Sequence, residues 1–162
     1  MPKLINYRKV KEIDNLLLAE IIRGVFIEHN APKHGTVYSD PTTDNLFELF
    51  KQPKSVLWVA ELDGVVIGCC GVYPTEGLPE TTTELVKYYI LKEARGLGIG
   101  KELMSRSLSS AKEFRFEKVY LESLDQFSKA VNIYKKLGFK RIDKFLGEPQ
   151  HVTCDIWMIK EI

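Results

Sequence analysis

Residues 95–100 read Arg-Gly-Leu-Gly-Ile-Gly. They stand between a run rich in β-branched and aromatic residues, 81–91, and a stretch of helical periodicity that reaches about 114. A strand that turns through glycines into a helix constrains the fold more than any other feature of this chain. With a further strand at 118–122 it makes a strand–loop–helix–strand unit, so part of the sheet must be parallel. The same loop suits an anion. Glycines let the backbone approach a ligand without Cβ obstruction. The first amides of the helix are unpaired donors at the positive end of its dipole.

Two well-known nucleotide loops fail on named residues. A dinucleotide fingerprint needs G-x-G-x-x-G, whereas the glycines here fall at Gly96, Gly98 and Gly100. A P-loop needs G-x-x-x-x-G-K-[ST]; Gly100 and Lys101 supply the G-K, but Arg95 stands where glycine is required and Glu102 where a hydroxyl would hold magnesium.

The remaining elements follow from periodicity and turn chemistry. Ile13, Leu16, Leu17, Ile21 and Val25 predict an apolar stripe on a helix over 12–29. A loop rich in proline and glycine follows, then a short helix at about 43–51. Asp63-Gly64 predicts a hairpin turn between strands at 55–62 and 65–73. Gly68 and Gly71 in the return strand point to a bulge or a close backbone approach. A helix is predicted over 128–137, stopped by Gly138. Segments 139–145 and 151–159 read as a closing antiparallel pair, with Val152, Cys154, Ile156 and Met158 as the core face. A short first strand near 4–7 completes an α/β (α+β) chain. Its mixed central sheet has about six or seven strands and is flanked by four helices.

Composition bounds the function classes. The chain has 162 residues and a formal charge of +1, with 23 Lys+Arg against 22 Asp+Glu. One domain is expected, because no linker or repeat divides it. A near-neutral balance excludes a generally basic nucleic-acid binder. No apolar run approaches the roughly 18 residues of a membrane span, and the charged N-terminus has no signal-peptide core. The three cysteines are expected to be reduced thiols, with Cys69 and Cys70 in the core, which suits a cytoplasmic protein. His29, His34 and His151 lack zinc-ligand spacing, so no metal is expected.

One pattern does fit the loop. Arg95, Gly98 and Gly100 fill R/Q-x-x-G-x-G/A, which resembles the acyl-CoA pyrophosphate loop of the GNAT superfamily of N-acetyltransferases. The preceding ELVKYYIL, 84–91, resembles that fold's fourth strand. AVNIYKKLGF, 130–139, resembles its second signature, a helix running into Tyr-x-x-x-Gly-Phe. The resemblance covers roughly 82–140; the first 54 residues match it only in being helical.

The resemblance implies the GNAT-like acyl-CoA N-acyltransferase fold and an acetyl-CoA-dependent N-acetyltransferase. Acetyl would pass to a primary amine of a small molecule or peptide by direct attack in a ternary complex. It implies that the amides of Gly98, Ile99 and Gly100 anchor the diphosphate with Arg95 adding charge, and that Gly96 and Lys101 belong to the same cofactor-binding loop. Tyr89, Ile90 and Leu91 would pair with the pantetheine arm, Asn132 would contact CoA, and a backbone N–H among residues 88–90 would hold the oxyanion. A lysine-like amine of pKa about 10.4 must lose a proton before it attacks. Glu84 is the implied proton acceptor, directly or through water; its plainer reading is a solvated strand carboxylate. Alternation places Glu84 and Tyr88 on one face. Tyr134 is the implied donor to the leaving thiolate, although it also lies on the apolar face of its helix and suits the core.

His34, Tyr38 and Asp155 are candidates for acceptor contact, with Asp40 beside them; ordinary loop polarity explains them equally well. The alternative function is a catalytically inactive acyl-CoA sensor or interaction module on the same fold. A protein-lysine or N-terminal acetyltransferase is a third reading. No nucleic acid or membrane partner is expected. A homodimer is common among relatives, though no apolar signature in the sequence supports one.

Overall fold

In the computed structural model, which describes residues 2–162, the predicted hairpin closes at Asp63 and Gly64, with φ of 52° and 82°. It joins β2 (Val56–Leu62) to β3 (Val65–Tyr73). β1 (Ile5–Lys9) flanks β2, and β4 (Thr82–Ile90) flanks β3. β5 (Lys118–Ser123), β7 (Ile156–Glu161) and β6 (Lys140–Ile142) complete the sheet. Among the described residues the sheet has seven strands in the order β1-β2-β3-β4-β5-β7-β6. Only β4 and β5 run parallel, joined by the predicted glycine loop and α3 (Ile99–Glu113). Every other pairing is antiparallel, so the sheet is mixed as the sequence requires.

Helices cover both faces. α1 (Asn15–Glu28) and the short α2 (Leu46–Leu49) pack on one side with Leu57, Val59 and Cys69. α3 and α4 (Ser128–Lys136) pack on the other with Ala60, Cys70 and Val72. Adjacent Cys69 and Cys70 therefore point into opposite layers, both with no exposed surface, as alternation along a strand dictates. Gly71 fits because a Cβ there would strike the Val56 carbonyl oxygen; at Gly68 it would meet the Tyr89 carbonyl oxygen at 2.9 Å. Both close approaches were predicted.

Two expectations change. Ile13 and Leu16 are 84% and 74% exposed, and the buried stripe of α1 is Leu18, Ile21, Ile22, Val25 and Phe26. Residues 12–14 form a tighter 3-10 turn, so the stripe begins later and is rotated away from Ile13 and Leu16. The last strand begins at Ile156, not 151. Ile156 and Met158 are core, whereas Val152 is 75% exposed and Cys154 lies in the loop before the strand. That loop is held elsewhere. The Thr153 amide donates to the Gly35 carbonyl (3.1 Å), and the Thr153 hydroxyl donates to that of His34 (2.8 Å).

Candidate active site

The glycine loop builds one end of a cavity. Gly96 and Gly98 take φ of 83° and 79°, and Gly98 caps the N-terminus of α3. At Gly100 a Cβ would meet the Tyr88 hydroxyl and the end of Ile90, so a larger residue there would have to displace the Tyr88 ring. The first amides of α3 thus border a cavity of about 750 Å³ that Gly96, Gly98, Ile99, Gly100 and Lys101 help to line.

The cavity continues between β4 and β5 because those strands separate. They pair only through Thr82–Lys118, Thr83–Val119 and Glu84–Tyr120, although β4 runs on to Ile90. The cause is a bulge. Opposite β3, pairing steps from Gly71–Val86 to Cys69–Tyr89, so Lys87 and Tyr88 together oppose Cys70. Lys87 sits at the bulge with φ of 58°, rare for a residue bearing a Cβ. Beyond it, the Leu91 amide donates to the Ile67 carbonyl of β3 (2.9 Å). Alternation then turns the amides of Ile90 and Tyr88 toward the side that β5 has left.

The bulge also overturns a face assignment. Tyr88 packs in the α3–α4 layer near Tyr134, whereas Val86 and Tyr89 pack in the α1 layer. Two residues before Val86 and ahead of the bulge, Glu84 shares the α1-layer face. Glu84 and Tyr88 therefore lie on opposite faces, because the extra residue inverts the alternation.

Glu84 stands in a group of polar residues. The Thr75 hydroxyl donates to its Oε1 at 2.5 Å. Burial pushes its carboxyl up to about 7, against the Thr75 hydrogen bond, and neighbouring Glu122 adds to the rise. Glu122 is also raised by burial, opposed by a hydrogen bond from the Tyr120 hydroxyl at 2.7 Å. Asp40 is held well below the usual carboxylate range, chiefly by His151 Nε2 at 2.8 Å. The Thr42 amide (2.9 Å) and hydroxyl (2.8 Å) also donate to Asp40. Asp40, Lys87, Glu122 and His151 all line the cavity.

Tyr134 is 7% exposed and lines the same cavity. Its ring packs 6.0 Å from Tyr88 and 5.9 Å from Phe139, on the turn made by Gly138 at φ of 95°. Tyr134 is therefore part of the core and also borders the cavity. Burial, the dominant effect, raises its phenol well above 10, so it is protonated at neutral pH.

Of the predicted site residues, Glu84, Tyr89, Ile90, Arg95, Gly96, Gly98, Ile99, Gly100, Lys101 and Tyr134 line this one cavity. Leu91, Asn132, His34, Tyr38 and Asp155 lie outside its lining. Asn132 is exposed on α4, and Lys129, Ala130 and Ile133 face the cavity instead. His34 is exposed and contributes a carbonyl to Thr153. Tyr38 packs against Phe26, between Arg23 and Lys33. Asp155 is exposed beside Ser123, whose carbonyl accepts its amide. Arg95 is already engaged: it donates to the Ile90 carbonyl and forms a two-pronged ion pair with Glu28 at 2.6 and 2.8 Å. Sequence reasoning missed Lys87, Glu122 and Thr75, and weighed His151 only as a zinc ligand. A charged residue inside the apolar run 85–91 was the available signal for Lys87.

Residues 24–139 match the acetyltransferase (GNAT) family, and the chain belongs to that family. It is 35% identical over 156 residues to the uncharacterized N-acetyltransferase YjgM of Escherichia coli K12, covering 96% of this chain and 93% of that protein. Its fold is that of an acetyltransferase of the GNAT family from Staphylococcus aureus Mu50 (TM-score 0.86, 22% identity, 98% and 99% of the two chains). It is also that of the paiA N-acetyltransferase of Thermoplasma acidophilum, solved with coenzyme A (TM-score 0.76, 21% identity, 98% and 99%). Among the described residues no helix is long and apolar enough to cross a membrane.

Proposed function

We propose that the protein transfers acetyl from acetyl-CoA to a primary amine by direct attack within one ternary complex. The observation that carries this is the continuous cleft. It runs from the amides at the α3 N-terminus, through the gap between β4 and β5, to Glu84 on one side and Tyr134 on the other. Its volume and extended form suit a pantetheine arm, and the structural relative solved with coenzyme A supports the choice of ligand.

The diphosphate rests on the amides of residues 98–100, and the arm lies along the unpaired edge of β4. Glu84 takes a proton from the acceptor ammonium, directly or through water, and the freed nitrogen lone pair adds to the thioester carbonyl. The amide of Tyr88 or Ile90 stabilises the oxyanion, an effect worth about 3 kcal/mol per donor. The intermediate collapses with cleavage of the C–S bond, Tyr134 gives its proton to the departing thiolate, and the proton still carried in excess by the new amide nitrogen passes, directly or through water, to the tyrosinate so formed.

Incubated with acetyl-CoA and a panel of primary amines, the purified protein is expected to release free thiol with at least one of them. Tyr134→Phe should lower that turnover by about a hundredfold. Acetyl-CoA binding with no turnover of any amine would mark an inactive acyl-CoA sensor instead, and an unchanged Tyr134→Phe rate would remove Tyr134 from the mechanism.

A further inference from the structure

On the Glu84 side of the cavity, each acid has a protein partner of its own. Thr75 donates to Glu84, Tyr120 to Glu122, and Thr42 and His151 serve Asp40. Lys87 does not fit this pattern. It is 7% exposed, yet among the described residues no carboxylate lies within 4.0 Å of its Nζ and no hydrogen bond engages that nitrogen; only its carbonyl is used, accepting from the Cys69 thiol (3.0 Å). Its ammonium is not sealed off, because the side chain lines the cavity and no fully buried polar atom among the described residues lacks a partner. The bulge supplies a second observation. Lys87 holds its place at φ of 58°, a strained conformation for a lysine, and that conformation aims it into the cavity among Asp40, Glu84 and Cys69. An ammonium reached only from the cavity, with no protein partner and on a strained backbone, costs the fold stability, which is the pattern of a residue kept for a ligand.

We infer that Lys87 binds a carboxylate of the acceptor, so that the amine acetylated here belongs to an amino acid or a short amino-carboxylate. This rests on the acetyltransferase reading and names its second substrate. The chemistry favours a single negative charge. One lysine matches one carboxylate, whereas a doubly charged phosphate would sit against Asp40 and Glu84 with only Lys87 to balance it. A polyamine would put further positive charge beside an ammonium already lacking a partner. With its carboxylate on Lys87, an α-amino acid brings its amine toward Glu84, which lines the same cavity three residues earlier in β4.

The test compares the common amino acids with their carboxamides and with simple amines, by thiol release from acetyl-CoA in wild type and Lys87→Met. Wild type is expected to accept at least one amino acid, with kcat/KM at least tenfold above its carboxamide. Lys87→Met should raise KM for that amino acid by tenfold or more, erase the preference over the amide, and leave KM for acetyl-CoA unchanged. The variant should also melt at a higher temperature than wild type, since it removes a buried charge. A merely structural lysine would not shift the acid-to-amide preference. Turnover of carboxamides or simple amines as good as that of the acids overturns the inference and leaves the acetyltransferase reading standing. So does turnover of no carboxylated amine while other amines are acetylated, or a preference unchanged in Lys87→Met. Failure of every amine would remove both.

Discussion

Glu84 has one oxygen fixed by Thr75 and a charge that its surroundings disfavour. If it is the proton acceptor it must be ionised to work. With burial raising its carboxyl to about 7, kcat/KM should climb as pH rises through that value and level off above it. Glu84→Gln should lose that limb of the profile and fall by about 10²–10⁴ in rate. The same shift has a consequence for folding. Its carboxyl is raised above its unfolded value, near 4.3, so the stability it contributes is complete below that value and is lost as pH rises through about 7. Thermal melts of Glu84→Gln should therefore exceed wild type at pH 8, by on the order of 1 kcal/mol once solvent access is allowed for, and match it near pH 4. That Glu84, Tyr134 and the glycines share one cavity was legible because each sits in a short stretch that resembles the family's motifs. Lys87 showed only as a charged residue in an apolar run; its place in the cavity was not legible, because strand alternation carries no mark of an extra residue and the bulge is set by pairing with Cys69 and Gly71 of β3.

At the scale of elements, the acceptor side is closed by two loops that grip each other. The loop after α1 supplies the His34 and Gly35 carbonyls and Asp40; the loop before β7 answers with Thr153 and His151. Gly35 sits at φ of 70°, and a Cβ there would strike the Thr153 hydroxyl. Gly35→Ala should cost about 1–2 kcal/mol in stability and raise KM for the amine while leaving that for acetyl-CoA nearly unchanged. Thermal melting and two-substrate kinetics check both halves. The β2–β3 hairpin, the glycine loop and the Gly138 stop of α4 were readable because neighbouring residues decide them. The alternation from Val152 to Met158 misled because its first half is held by residues more than a hundred positions away. His34, Tyr38 and Asp155 drew attention by chain position alone, and none of them lines the cavity.

For the molecule as a whole, the balance of 23 basic and 22 acidic residues places little net charge at the service of an anionic ligand. The positive potential is local instead. It comes from the amides at the start of α3, with Lys101 and Lys129 on the cavity wall. Arg95, expected to lend its charge to the loop, is paired with Glu28 and ties the end of α1 to the end of β4. The mixed sheet makes the site possible because its one parallel junction is also where two strands part. Everything proposed for this protein depends on acetyl-CoA entering that gap with its diphosphate on the glycine loop. Calorimetric titration of acetyl-CoA into wild type and Gly98→Val tests this most directly. The expected result is one saturable site per chain, weakened by roughly tenfold or more, about 1.4 kcal/mol, in a variant that remains folded. No saturable binding to folded wild type, or equal affinity in the two proteins, would contradict it.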